Sequence, residues 1–299
     1  MTAANDPQSP LRDFARSNDF FIGIDSDGCA FDTMEVKHKE CFIPNIVKHY
    51  HLAAISKFAR ETAEFINLYS RWRGINRFPG LVATIDLLAE RPEVLRRRPP
   101  LPPLNGLRDW LARETRLSND VLEREVLVSG DLDLKQALEW SAAVNRSIYE
   151  IVKDVPPFPF VRESLENMQG RADVMVVSAT PREALIREWT EHGLDGFVAM
   201  IAGQELGSKR EHLALAAGDR YEPDHALMIG DALGDWDAAK KNGFLFYPIN
   251  PGQEDESWQR FFEEGLPRFF AGTFAGEYMA AQLARFESLL PDRPPWKSA

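Results

Sequence analysis

Between residues 161 and 249 the sequence alternates between helix-period segments and short apolar runs, with only a few residues between them. VRESLENMQG reads as a helix closed by glycine, and ADVMVVSAT as a buried strand ending in small hydroxyl residues. PREALIREWTEHGLDG is a helix with Pro181 in its first turn, FVAMIAG a strand, and KREHLALAAG a helix. HALMIGD is a strand, DWDAAKKNG a helix ending at Gly243, and FLFYPI a strand. Apolar strands alternating with helices over short connections predict a parallel sheet with helices on both faces. One more run of this kind, FFIGID at 20–25, lies far upstream, so the sheet's first strand is cut off from the others.

The interruption, residues 34–155, carries no convincing strand. VKHKECFIPNIVKHYHL, SKFARETAEFINLYSRW, LVATIDLLAE and LKQALEWSAAVNRSIYEIVKD all place apolar residues at helical spacing. Proline clusters at 99–103 and 156–159 punctuate it. Two domains are therefore expected: an α/β core from 1–33 and 156–299, and an α-helical insertion over 34–155. From Pro251 onward the core's tail holds Trp258, Phe261, Phe262, Phe269, Phe270, Phe274 and Tyr278. A helix pair covering one side of the core is the favoured reading of this tail, and a homo-oligomer interface is the other.

Composition excludes some partners. With 44% hydrophobic and 27% charged residues the chain is ordinary for a globular protein, and its net charge of −11 disfavours nucleic acid and anionic membranes. Neither a signal-peptide core nor an apolar run of membrane length is present, which points to a cytoplasmic protein. Cys29 and Cys41 are too few for a disulfide framework and read as small buried residues.

In open parallel sheets, ligands bind beyond the carboxyl ends of the strands. The first strand ends in Asp25-Ser26-Asp27-Gly28 and the next in Ser178-Ala179-Thr180; Lys209 opens the helix after the third, and the fourth ends in Gly230-Asp231, with Asp235 four residues on. Four carboxylates, a hydroxyl and a lysine should thus meet on one rim. Carboxylates so placed repel one another, and a divalent cation removes that objection. Oxygen ligands without cysteine or histidine suit Mg²⁺.

These four segments resemble the four motifs of the haloacid dehalogenase superfamily: DSDGCAFD at 25–32, VMVVSAT with Ser178 in the hydroxyl position, GSKREHL with Lys209 in the basic position, and IGDALGDWDAAKKNG with Asp231 and Asp235 in the acidic positions. The resemblance covers roughly 20–35 and 156–250, and it implies a Rossmann-like α/β core with an inserted α-helical cap. It also implies chemistry. Asp25 would attack phosphorus and form an aspartyl-phosphate, and Asp27 would serve as acid and then base. Ser178 and Lys209 would hold phosphoryl oxygens. The Asp25 side chain, the Asp27 backbone carbonyl and Asp231 would bind Mg²⁺, with Asp235 in support. Cys29 stands where this family commonly has threonine. The second aspartate, Asp27, favours phosphate esters over the dehalogenase and phosphonate-cleaving branches.

The expected reaction is hydrolysis of a small phosphorylated metabolite such as a sugar phosphate. A sugar phosphomutase shares the same motifs, and a non-catalytic binding relative is a third reading. Within the insertion, SRWRGINRFPG at 70–80 presents Arg71, Arg73, Asn76 and Arg77 beside a Pro-Gly turn. That set suits an anionic or polyhydroxylated group, and equally suits a solvated turn.

Overall fold

The computed structural model describes residues 6–297. The chain divides into two compact units, one of 6–33 with Asp154–Leu289 and one of Met34–Lys153 with 290–297. The chain's last described residues, read from sequence as the end of the core's tail, therefore group with the inserted segment.

The first unit is built on five parallel strands: β1 (Phe20–Ile24), β2 (Ala172–Val177), β3 (Met200–Ala202), β4 (Ala226–Gly230) and β5 (Leu245–Pro248), in the order β3-β2-β1-β4-β5. Every residue of β2 and β4 is buried, which is why both read as apolar runs, with Asp173 in β2 the one exception. β1 sits in the middle and pairs Gly23 with Met175 on one side and Met228 on the other. Strands added later in the chain go to β1's two sides in turn, so its carboxyl end lies where the strand order reverses. Gly23 packs tightly there: a Cβ would stand 3.0 Å from both Leu213 Cδ2 and Met228 Sδ.

Ile22, Ile24, Val174, Val176, Leu227 and Ile229 pack with Trp189, Trp258, Phe261, Phe269 and Phe274 in one apolar cluster. Aromatic residues of the tail are thus part of this unit's core. The tail also reaches the loop after β1, where Trp258 Nε1 donates to the Cys29 carbonyl at 2.6 Å.

The second unit is helical, with its own core of Ile46, Ile55, Phe78, Leu81, Trp110, Leu134 and Trp140 among others. Its longer helices are Ser56–Asn67, Arg77–Ala89, Asn105–Arg113, Asn119–Ser129 and Leu132–Ile151. Residues 290–297 are fastened to it by Trp296, whose ring lies 4.1 Å from the Arg91 guanidinium, and by the Lys297–Glu90 and Arg71–Asp292 pairs. No helix among the described residues is long and apolar enough to cross a membrane.

Candidate active site

β1 delivers Asp25 at its carboxyl end, where the Asp25 amide still donates to the Ile229 carbonyl of β4 at 3.0 Å. β4 delivers Asp231, and the helix Leu233–Lys241 delivers Asp235 from its first turn. Lys209 opens the helix Lys209–Ala216, which is held by a capping box between Ser208 and Glu211. These four predicted residues meet. Lys209 Nζ lies 2.8 Å from Asp25 Oδ2 and 2.5 Å from Asp235 Oδ1. Asp25, Asp231 and Asp235 are all buried, and one ligand oxygen from each lies within 4.8 Å of the others.

Three buried carboxylates against one ammonium leave excess negative charge. Burial is the largest influence on Asp25 and lifts its carboxyl well above the usual range; Lys209 opposes this, while Asp235 and Asp231 reinforce it. Asp235 is raised for the same reasons, burial first. Burial would lower Lys209, but Asp235 and Asp25 outweigh it and hold the ammonium charged well beyond neutral pH. Gly230 makes the packing feasible, since a Cβ there would lie 2.4–2.6 Å from the Asp235 side chain.

This donor set fits a hard divalent cation. It offers oxygen ligands only, from three elements, in a buried cluster whose charge one ammonium does not balance. Asp27 stands apart from the cluster. Its carboxylate accepts from Thr33 Oγ1 at 2.5 Å and from Thr180 Oγ1 at 2.8 Å. Ser178 follows β2 directly and is buried; its Oγ accepts from the Thr180 amide at 3.2 Å. Thr33 and Thr180 were not singled out in the sequence. Thr180 meets Asp27 across 153 positions, which nothing local marks, and Thr33 meets it across the turn only six positions on.

Cys29 is wholly buried, and burial, then Asp25, Asp231 and Asp235, push its thiol well above the ordinary value. A buried thiol held in its protonated form lacks the thiolate that oxidants attack.

The remaining predicted residues lie in the second unit, in different surroundings. Arg71 pairs with Asp292 at 3.3 Å. Arg73 is buried and donates to the Leu68 carbonyl at 3.0 Å. Asn76 caps the helix Arg77–Ala89, accepting from the Phe78 amide at 3.1 Å. Arg77 donates to Ser141 Oγ at 2.9 Å and Asn145 Oδ1 at 2.7 Å and lies over the Phe42 ring. Its hydrogen-bond acceptors are all neutral, and burial draws its pKa down to about 10.

No family model matches the chain, and no curated protein does. Several solved structures are similar to it. A predicted phosphoglycolate phosphatase from Haemophilus somnus is 15% identical with a TM-score of 0.44, over 79% of this chain and 88% of that one. A predicted phosphatase from Clostridium acetobutylicum is 13% identical with a TM-score of 0.43, over 83% and 92%. A HAD-superfamily hydrolase of subfamily IA from Geobacter sulfurreducens is 17% identical with a TM-score of 0.37, over 78% and 90%. Likeness at this level assigns no role to any residue of this chain.

Proposed function

We propose that the chain is a Mg²⁺-dependent phosphatase of the haloacid dehalogenase superfamily that hydrolyses a small phosphorylated metabolite. The observation that carries this reading is Asp25. It is a buried carboxylate at the end of the central strand, 2.8 Å from Lys209 and clustered with Asp231 and Asp235.

Asp25, Asp231 and Asp235 would hold Mg²⁺ together with the Asp27 carbonyl. When bound, the cation supplies the positive charge that lets a phosphate approach a carboxylate. An Asp25 oxygen attacks phosphorus as the bond to the leaving oxygen breaks, giving an aspartyl-phosphate and an alcohol that takes its proton from Asp27. Asp27, now ionised, takes a proton from water, which attacks phosphorus. The bond to Asp25 breaks, phosphate leaves, and both aspartates are restored. Thr33 and Thr180 can each donate to Asp27 or accept from it, so the pair tolerates either protonation state. Lys209 and Ser178 would hold the non-bridging oxygens.

The helical unit acts in this reading as a substrate-selecting cap. Of its four candidate residues, Arg77 best suits an anionic substrate group, because its acceptors are all neutral and no carboxylate pairs with it among the described contacts.

The test is phosphate release from a panel of phosphorylated metabolites, with and without Mg²⁺, beside Asp25→Asn. Release that needs both Mg²⁺ and Asp25 is expected. A chain that interconverts sugar phosphates without releasing phosphate would be a mutase instead.

A further inference from the structure

Ser26 lies between the two aspartates of the loop after β1, yet its side chain is turned away from them. It lies in the turn that follows β1, and its hydroxyl is directed to the helix Arg182–Glu191. There it is wholly buried beside an apolar cluster that includes Phe31, Leu185 and Trp189. A space of that kind is filled more cheaply by an alanine or a branched aliphatic residue, because a buried hydroxyl must be satisfied.

The hydroxyl is satisfied twice, by adjacent residues of the helix Arg182–Glu191. Trp189 Nε1 donates to Ser26 Oγ at 3.0 Å, and Ser26 Oγ donates to Glu188 Oε2 at 2.9 Å. The direction is fixed by chemistry, since an indole N–H can only donate and a carboxylate can only accept. The hydroxyl therefore has one orientation.

Ser26 is also where the loop's backbone is tied. Its amide donates to Asp25 Oδ1 at 2.8 Å. That bond leaves Oδ2 of the same carboxylate to Lys209. Its carbonyl accepts from the amides of Cys29, Ala30 and Phe31 at 3.3, 2.9 and 3.0 Å. The segment 180–189 thus holds the loop at two points, through Thr180 on Asp27 and through Glu188 and Trp189 on Ser26. We infer that Glu188 and Trp189 are positioning residues, which act through Ser26 to set the orientation of the Asp25 carboxylate. Neither touches the reacting atoms in this scheme.

This role predicts loss of kcat with little change in KM, because ground-state binding is left intact while the nucleophile is misaimed. The kinetic arm rests on the phosphatase reading above; a second arm does not. Ser26→Ala, Glu188→Ala, Glu188→Gln and the Ser26→Ala/Glu188→Ala double variant are compared with p-nitrophenyl phosphate and Mg²⁺. In parallel, hydrogen exchange is followed at the amides of 26–31, with thermal unfolding as the control for folding.

Glu188→Ala should lower kcat about tenfold, with KM within about twofold, and speed exchange in the loop by a similar factor. The double variant should be no worse than Ser26→Ala alone, because both act through one bond. Glu188→Gln keeps an acceptor oxygen and should recover most of both losses. Additive losses, or losses that follow the unfolding temperature and spare the exchange rates, would overturn the proposal. Were the wild-type chain silent on every phosphate ester, the phosphatase reading would fall, and loop exchange coupled to Glu188 would still establish the positioning.

Discussion

The charge balance at Asp25, Lys209, Asp231 and Asp235 is the feature from which most follows at the scale of single residues. Without a cation, Lys209 is the only positive charge close to Asp25 and Asp235 among the described contacts. Lys209→Met should therefore destabilise the metal-free protein by about 3–5 kcal/mol, as removal of one partner of a buried pair does. Thermal unfolding in chelator checks this. Added Mg²⁺ should raise the unfolding midpoint of the wild type, worth about 2.7 kcal/mol at a hundredfold excess over its dissociation constant, and should do so less in Asp231→Asn. A second titration belongs to His212, one helical turn beyond Lys209. Burial, then the Lys209 charge, lowers its pKa from 6.5 to about 4. The unfolded chain then binds the proton more tightly, so stability is full above about pH 6.5 and is lost as pH falls toward 4. The loss is roughly 3 kcal/mol. His212→Leu should flatten that part of the pH–stability curve, measured by denaturant unfolding at each pH.

Elements determine which of these residues could be found in the sequence. A strand end followed by an acid is a local pattern, so Asp25 and Asp231 were legible, as were Asp235 four residues after Asp231 and the order of strands and helices that brings them to one rim. The run FVAMIAG was legible as a strand, but only Met200–Ala202 is laddered. It is an edge strand with a single neighbour, and the preceding Asp195–Phe197 tightens into a turn. Ser26, Thr180, Glu188 and Trp189 were illegible as a group, because their bonds join residues more than 150 positions apart. Gly230 is the element-scale feature with the clearest cost. Gly230→Ala would drive a methyl into the Asp235 side chain, 2.4 Å from its Cβ. A loss of about 1–3 kcal/mol is expected from such overpacking. Weaker Mg²⁺ binding should accompany it, seen as a smaller Mg²⁺-induced shift in the unfolding midpoint.

For the molecule as a whole, the sequence separates an α/β sheet from a helical insertion because their apolar periods differ. It does not show that residues 290–297 return to the helical unit. Trp296 on Arg91 and Lys297 on Glu90 are pairings across some two hundred positions, and a proline-rich tail carries no period that would announce them. The same return gives Arg71 a carboxylate partner in Asp292, which the composition of 70–80 alone did not foretell. The functional account nevertheless converges on one atom group, the Asp25 carboxylate. Its most direct test is to quench the protein with acid during turnover of a phosphorylated substrate and reduce it with borohydride, which converts an aspartyl-phosphate to homoserine. Mass spectrometry of the peptide around residue 25 then reads the outcome. Homoserine at position 25, dependent on Mg²⁺ and absent without substrate, is the predicted result. Phosphate release at the wild-type rate by Asp25→Asn, or the modification at another residue, would contradict the account.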